Sequence, residues 1–196
     1  MLNSNSFSRI AFKEWASIVD ILGTGDQILI LRKGGIHERG KKFDVAHEKF
    51  FLFPTFEHQN PKDLKPEAEG ILRKVLESKP DSTVIPLRIY CAVQNSFWIS
   101  DEKMLQKLSP FHKWSESCIQ DRFHWGDQKG LFGIAVRTYA LAETLNLPNQ
   151  KRYGGCRSWV ELEEPVSTAS LSPVLTEQVF EKKMDEINQA LGERVG

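Results

Sequence analysis

Apolar positions recur at two periods along this 196-residue chain. Ala11, Trp15, Ile18 and Leu22 are spaced by four, three and four, which predicts a helix over residues 7–22 with one apolar stripe. Gly23 and Gly25 are placed to end it. Residues 27–32, "QILILR", are short and aliphatic and read as a strand. A Gly34-Gly35 turn follows. "KKFDVAH" is the expected partner strand, and "KFFLFPT" (49–55) is another, limited by Pro54. A helix is expected from Pro66, with Ala68, Ile71, Leu72, Val75 and Leu76 as its apolar face.

Residues 83–99 read as two strands, "TVIPLRIYCAV" and "SFWIS", in a hairpin around Gln94 and Asn95. Pro86 places the first at an edge or a bulge. Ser100 is a cap for a short helix "DEKMLQKL", and "HKWSESCIQDRF" suggests another. "GLFGIAVRTYALA" and "CRSWVEL" read as strands. The small-residue stretch after them is a linker, and Ser172-Pro173 is the expected start of a last helix with the stripe Phe180, Met184, Ile187 and Leu191. The expected organisation is one domain over 1–164, a linker over 165–172 and a C-terminal helix over 173–196 that packs on the domain or pairs a homodimer. Regular βαβ alternation is missing, so the fold class is α+β: a mixed, mainly antiparallel sheet, able to curl into a barrel, with flanking helices.

Composition narrows the partners. Lys plus Arg equals Asp plus Glu at 26 each, so any polyanion site must be a local patch. Three widely spaced cysteines, with no CxxC, argue against a disulfide framework or a thiolate zinc site. The N-terminus lacks a secretory pattern and no apolar run reaches membrane length, so the expectation is a cytoplasmic protein with reduced thiols and no membrane partner.

Two basic Gly-Gly segments carry the candidate chemistry. The first holds Arg32, Lys33, Gly34 and Gly35, followed by Arg39, Lys41 and Lys42. The second holds Lys151, Arg152, Gly154, Gly155, Arg157, Ser158 and Trp159. Glycines let successive N–H groups converge on an anion, so the pair reads as a phosphate clamp for DNA or RNA, with Tyr153 or Trp159 stacking on a base. The same residues also read as two solvated hairpin turns. His112, Trp114, His124 and Trp125 are a second aromatic set, read as a base-holding cleft or as packing.

His37-Glu38, His47-Glu48 and Glu57-His58 are adjacent pairs, which a strand would point to opposite faces, so they favour surface or hydrogen-bonding roles over a metal. Restriction-type nucleases need an Asp and a Glu-x-Lys beside Mg²⁺. Two loose matches exist. One is Asp81 with Asp101-Glu102-Lys103; the other is Asp44 with Glu57, His58 and Gln59. No cofactor is expected unless this nuclease reading holds, in which case Mg²⁺ is. Cys156, beside Arg157 and the Gly-Gly turn, is a better nucleophile candidate than Cys118, against the plainer reading of an inert thiol.

The motifs Arg32-Lys33-Gly34-Gly35-Ile36, Glu38, His47, Phe53-Pro54-Thr55, His58-Gln59 and Gly155-Cys156-x-Ser158-Trp159 carry a resemblance. The chain resembles a bacterial domain-of-unknown-function family, number eighteen-zero-two, from about Ala11 to Leu162. Relatives in that family are sometimes fused to, or associated with, restriction-endonuclease-type domains, so the resemblance implies a role near restriction and modification of DNA. It carries over no catalytic residue. Three functions follow as expectations: a nucleic-acid-binding or accessory domain, a metal-dependent nuclease or phosphodiesterase, and a structural interaction protein.

Overall fold

The computed structural model describes residues 7–33 and 46–192. In chain order the elements are β1 (Phe7–Trp15), α1 (Ala16–Thr24), β2 (Leu29–Arg32), β3 (Lys49–Thr55), α2 (Pro66–Glu77), β4 (Val84–Ile99), α3 (Glu102–Leu108), α4 (Glu116–His124), β5 (Leu131–Pro148), β6 (Trp159–Ser167), β7 (Leu171–Pro173) and α5 (Glu177–Leu191). The fold is α+β. Its sheet runs β2-β5-β4-β3-β1-β6, with β7 also on β5. Among the described residues only the β1–β3 pair is parallel.

The sheet curls without closing. β6 lies at one end of the strand order, yet β7 pairs with β5 near the other end. Only residues 168–170 separate β6 from β7. Four Cα steps of 3.8 Å span at most about 15 Å, so the two ends of the sheet come within that distance. The expected barrel tendency is therefore realised as an open curl.

The period of two builds two cores. In β3, Phe50 and Leu52 enter the larger core while Phe51 and Phe53 enter the smaller. Phe12 and Ala11 of β1 divide the same way, as do Cys91 and Tyr90 of β4. Successive strand residues face opposite ways, so a sheet covered on both faces needs a continuous apolar run rather than an alternating one. The larger core holds α1 and residues of the other helices; the smaller is closed by Tyr153, Val160, Leu162 and Val166.

Four expectations about elements are corrected. Residues 7–15 are a strand, and the helix begins only at Ala16. A spacing of four satisfies a period of two as well as 3.6, so the Ala11–Trp15 step did not discriminate. The expected 83–99 hairpin is a single strand, β4. Its register against β5 slips between Val93 and Asn95, which makes Gln94 a bulge residue rather than a turn. Pro86 is tolerated because β3 pairs β4 only at Tyr90–Ala92, so no third strand needs its missing N–H.

The third correction is the expected linker, much of which is strand. β6 continues to Ser167 across an irregular stretch where its pairing with β1 slips, and that stretch contains Pro165. The fourth concerns caps. Thr176, not Ser172, caps α5, and Asp101, not Ser100, caps α3; each side chain accepts from the backbone N–H three residues on. The stripe of α5 faces this chain's own core, with Phe180 and Ile187 buried and Met184 and Leu191 packed beside them. Among the described residues no helix is long and apolar enough to cross a membrane.

Candidate nucleic-acid interface

The joint between β1 and α1 positions the roots of both Gly-Gly segments. Arg32, at the end of β2, donates from Nη2 to Ser158 Oγ at 3.0 Å. Its Nη1 lies 3.7 Å from Glu14 Oε2, and its guanidinium covers the Phe12 ring at 4.9 Å. Burial pushes the Arg32 pKa down; Glu14 opposes that shift and Arg122 adds to it. Trp159 packs by its edge against Phe12, Phe50 and His47. Arg32, Ser158 and Trp159 thus stitch β2 to β6 across the end of β1.

Lys33 is equally committed. Its ammonium donates to the carbonyls of Phe123, Gln128 and Gly130, which close the loop after α4. Gly34 and Gly35 lie outside the described residues, as do Ile36 to Lys42 and Asp44. Of the first segment, the described part is occupied with internal bonds.

The second segment is arranged differently. Residues 151–153 form a single 3₁₀ turn, and Gly155 sits at φ +84°, a left-handed conformation suited to glycine. Lys13 of β1 donates to the Gly155 carbonyl at 3.0 Å and fixes the turn. Burial lowers the Lys13 pKa, with the Arg157 charge as the next cause. The side chains of Lys151, Arg152 and Arg157 are exposed and make no hydrogen bond or ion pair among the described residues. This turn therefore presents three unneutralised cations.

A cleft of about 420 Å³ opens beside them. One wall is the end of β3 and the residues after it, from Phe53 to Glu57. The other is the approach to β4, from Lys79 to Ser82 with Val84 and Ile85, and Asn149 to Lys151 with Tyr153 and Gly154 complete the rim. The wall is braced: the Asn149 side chain donates to the Ser82 carbonyl at 2.8 Å, and the Tyr153 hydroxyl accepts from the Glu163 N–H at 3.0 Å. Phe56 is half-buried at the rim with the Lys79 ammonium 5.9 Å from its ring centroid, while Phe53 and Tyr153 are buried beneath and pack edge to face, 5.7 Å apart. Lys79 also pairs with Glu57 at 3.5 Å.

The nuclease candidates divide. Glu57 lines this cleft. His58 is exposed and sits at φ +60°, uncommon for a residue with a side chain. Gln59 points inward: its Oε1 accepts from the Ser17 N–H and hydroxyl, and its Nε2 donates to the Thr55 carbonyl. It caps the start of α1 by satisfying an otherwise free N–H. Of the other match, Asp81 lines the cleft but accepts from Thr83, and Asp101 is the α3 cap. Among the described residues no three His, Cys, Asp or Glu side chains gather as metal ligands. Cys156 is exposed, whereas Cys91 and Cys118 are buried and their thiols are pushed up by that burial. The second aromatic set does not assemble as one cleft, because Trp114 is fully buried and Trp125 is 74% exposed.

Comparison with known proteins agrees with the motif resemblance. The sequence model described as "Domain of unknown function (DUF1802)" matches residues 11–186. The chain belongs to the DUF1802 family. Its match takes in the β1–α1 joint, the cleft and most of α5. No curated protein matches the chain. Among solved structures, an ASCH protein from Zymomonas mobilis is similar at a TM-score of 0.45 and 8% identity, over 90% of this chain and 92% of that one.

Lys13 and Lys79 were not legible as site residues. Each sits far in sequence from the glycine turns, and only the curl of the sheet and the end of α2 bring them to the cleft.

Proposed function

We propose that this DUF1802 domain binds a single-stranded stretch of DNA or RNA along the turn at 151–157. One observation carries the reading: Lys151 lines a cleft that has the half-buried Phe56 ring at its rim, and Arg152 and Arg157, exposed and without ion pairs among the described residues, flank it in the same turn. Cations that track a backbone, next to a ring on which any base can stack, are the chemistry of single-strand binding without sequence preference.

The test is fluorescence anisotropy with labelled single-stranded DNA, single-stranded RNA and duplex DNA, from 20 to 200 mM salt. Three phosphate contacts predict a slope of roughly −2 in log K against log salt for single strands. The variant Lys151→Ala/Arg152→Ala/Arg157→Ala should flatten that slope. Absence of binding at 20 mM salt, or an unchanged slope in the variant, overturns the proposal. Adding Mg²⁺ or Mn²⁺ to the same mixtures tests the phosphodiesterase alternative, for which Glu57 is the residue that reaches the cleft.

A further inference from the structure

Near its C-terminal end α4 lies against the β1–α1 joint, and Arg122 is clamped there. Its guanidinium carbon is 4.7 Å from the Trp15 ring centroid and 5.4 Å from that of Trp114. Stacking on two indoles orders a long side chain before any ligand arrives, so binding need not spend that rotamer freedom. The fork itself is unused. Among the described residues the Arg122 side chain makes no hydrogen bond and no ion pair. It is half-buried but not sealed: Trp114 Nε1 is shut off from water without a partner, whereas the Arg122 nitrogens reach solvent.

Two more cations meet it in this corner. Lys33 donates to the carbonyl of Phe123, the residue after Arg122, at 3.0 Å, which brings the end of β2 onto the end of α4. Arg32 precedes Lys33. Burial is the main cause that lowers its pKa, and the Arg122 charge acts in the same direction. The countercharge is one carboxylate: Glu14 Oε2 lies 3.7 Å from Arg32 Nη1, and its Oε1 is taken by the Trp15 N–H at 2.8 Å. Asp121 and Asp127 are exposed and pair with none of these cations. Three cations less one carboxylate leave two positive charges, partly withdrawn from water, and such a group favours an anion. The sign opposes a metal ion or an ammonium group. A guanidinium fork matches a carboxylate or a phosphate, but a carboxylate balances only one of the two charges, whereas a phosphate monoester carries about −1.5 to −2 at pH 7. Ser158 adds a donor. Its Oγ accepts from Arg32 at 3.0 Å, and its own hydrogen has no acceptor among the described residues.

We propose that the corner between the end of β2, the end of α4 and the β1–α1 joint binds a phosphate monoester, with the Arg122 fork as its donor and the Arg32 charge and the Ser158 hydroxyl beside it. The site is separate from the basic turn and does not rest on strand binding there. Its phosphate can belong to a free mononucleotide or to the end of a strand.

The experiment is an NMR titration of ¹⁵N-labelled protein at constant ionic strength, following the Nε–Hε signals of Arg122 and Arg32. The probes are inorganic phosphate, thymidine 5′-monophosphate, and a short oligothymidylate with either a 5′-phosphate or a 5′-hydroxyl end. Saturable shifts with millimolar phosphate or mononucleotide assign a free monoester, and saturable shifts with the 5′-phosphorylated strand alone assign a strand end. Either supports the site. Arg122→Gln should weaken that binding about tenfold or more, the loss of a charged hydrogen bond. Arg122→Lys keeps the charge but not the planar fork, and should weaken it about threefold to tenfold. Phosphate should also raise the Tm of the parent but not of Arg122→Gln, which a merely structural Arg122 would not produce. No saturable shift with any probe overturns the proposal, as does unchanged affinity in Arg122→Gln or, should that variant not fold, in Arg122→Lys. A 5′-hydroxyl strand that shifts Arg122 as strongly as the phosphorylated one would show that a singly charged diester suffices, and would overturn the monoester assignment. The basic-turn variant should leave the phosphate titration as it was. Loss of the Arg122 shift there would put the anion on the turn and overturn the site, whatever the anisotropy result.

Discussion

Replacing Arg32 with methionine separates a structural brace from a phosphate ligand. The substitution keeps the stem and removes the guanidinium. Three contacts go with it: the Glu14 pair at 3.7 Å, the bond to Ser158 at 3.0 Å and the stacking on Phe12 at 4.9 Å. The consequence falls on Glu14, which is 1% exposed. Its Oε1 keeps the Trp15 N–H at 2.8 Å, but its Oε2 has no hydrogen bond of its own. Breaking a buried pair by removing one partner costs about 3–5 kcal/mol, and the lost Ser158 bond adds about 1 kcal/mol. Arg32 is itself 26% exposed, so water already screens part of the pair and the lower end, about 3 kcal/mol, is the expected loss. With a urea slope of about 2 kcal/mol per molar, the unfolding midpoint should fall by roughly 1.5 M. Glu14→Leu/Arg32→Met should recover most of that, because removing both charges leaves no buried ion. The coupling energy of the cycle should exceed about 1.5 kcal/mol. An Arg32→Met midpoint within about 0.5 M of the parent, or no recovery in the double variant, would refute the brace. A variant of parental stability that has lost oligonucleotide affinity would return Arg32 to the role its sequence context suggested.

Two further outcomes follow from local geometry. The folded pKa of His112, about 3, lies below its unfolded value, so the unfolded chain binds the extra proton as pH falls; stability is intact above about pH 6.5 and declines by up to about 1.4 kcal/mol per pH unit down to pH 3. Urea midpoints between pH 7 and 4 measure this, and His112→Phe should lose that share of the slope; an equal slope in the variant would remove His112 from the account. Gly130 sits at φ +133°, and an added Cβ would lie 2.2 Å from Trp98 Cζ2 and 2.8 Å from the Ile99 carbonyl, so Gly130→Ala should cost about 3 kcal/mol by overpacking and backbone strain, read as a fall in Tm.

Much of this fold was legible because its signals are local. β3 was read over Lys49–Thr55 and α2 from Pro66, the first as an apolar run and the second as a Pro start before a stripe of 3.6 period. What failed was decided by neighbours far away in sequence. Residues 7–15 are a strand because β3 and β6 flank them on both sides, and no window of the chain shows that. Gln94 and Asn95 have turn chemistry, but β5 runs unbroken past both, and the surplus residue is absorbed as a bulge. The site divides in the same way. Lys151, Arg152 and Arg157 were readable as a basic turn, whereas Lys13 and Lys79 needed the sheet to bring them there.

The motif residues now separate by what their side chains do. Arg32 holds Ser158, Lys33 holds the loop after α4, and Gln59 holds the start of α1. These are long polar side chains spent on backbone and hydroxyl partners inside the protein. The unneutralised cations, Lys151, Arg152 and Arg157, lie beside or between the motif positions rather than on them. A signature of this kind specifies the position of the turn and the walls of the cleft, while the charge that would meet a phosphate is set by residues next to it. On that division, exchanging Arg152 or Arg157 for other side chains should tune affinity for a polyanion and leave the fold intact, since neither is bonded among the described residues. Exchanging Arg32 or Gln59 should act first on stability, and on binding only through the loss of the shape they maintain.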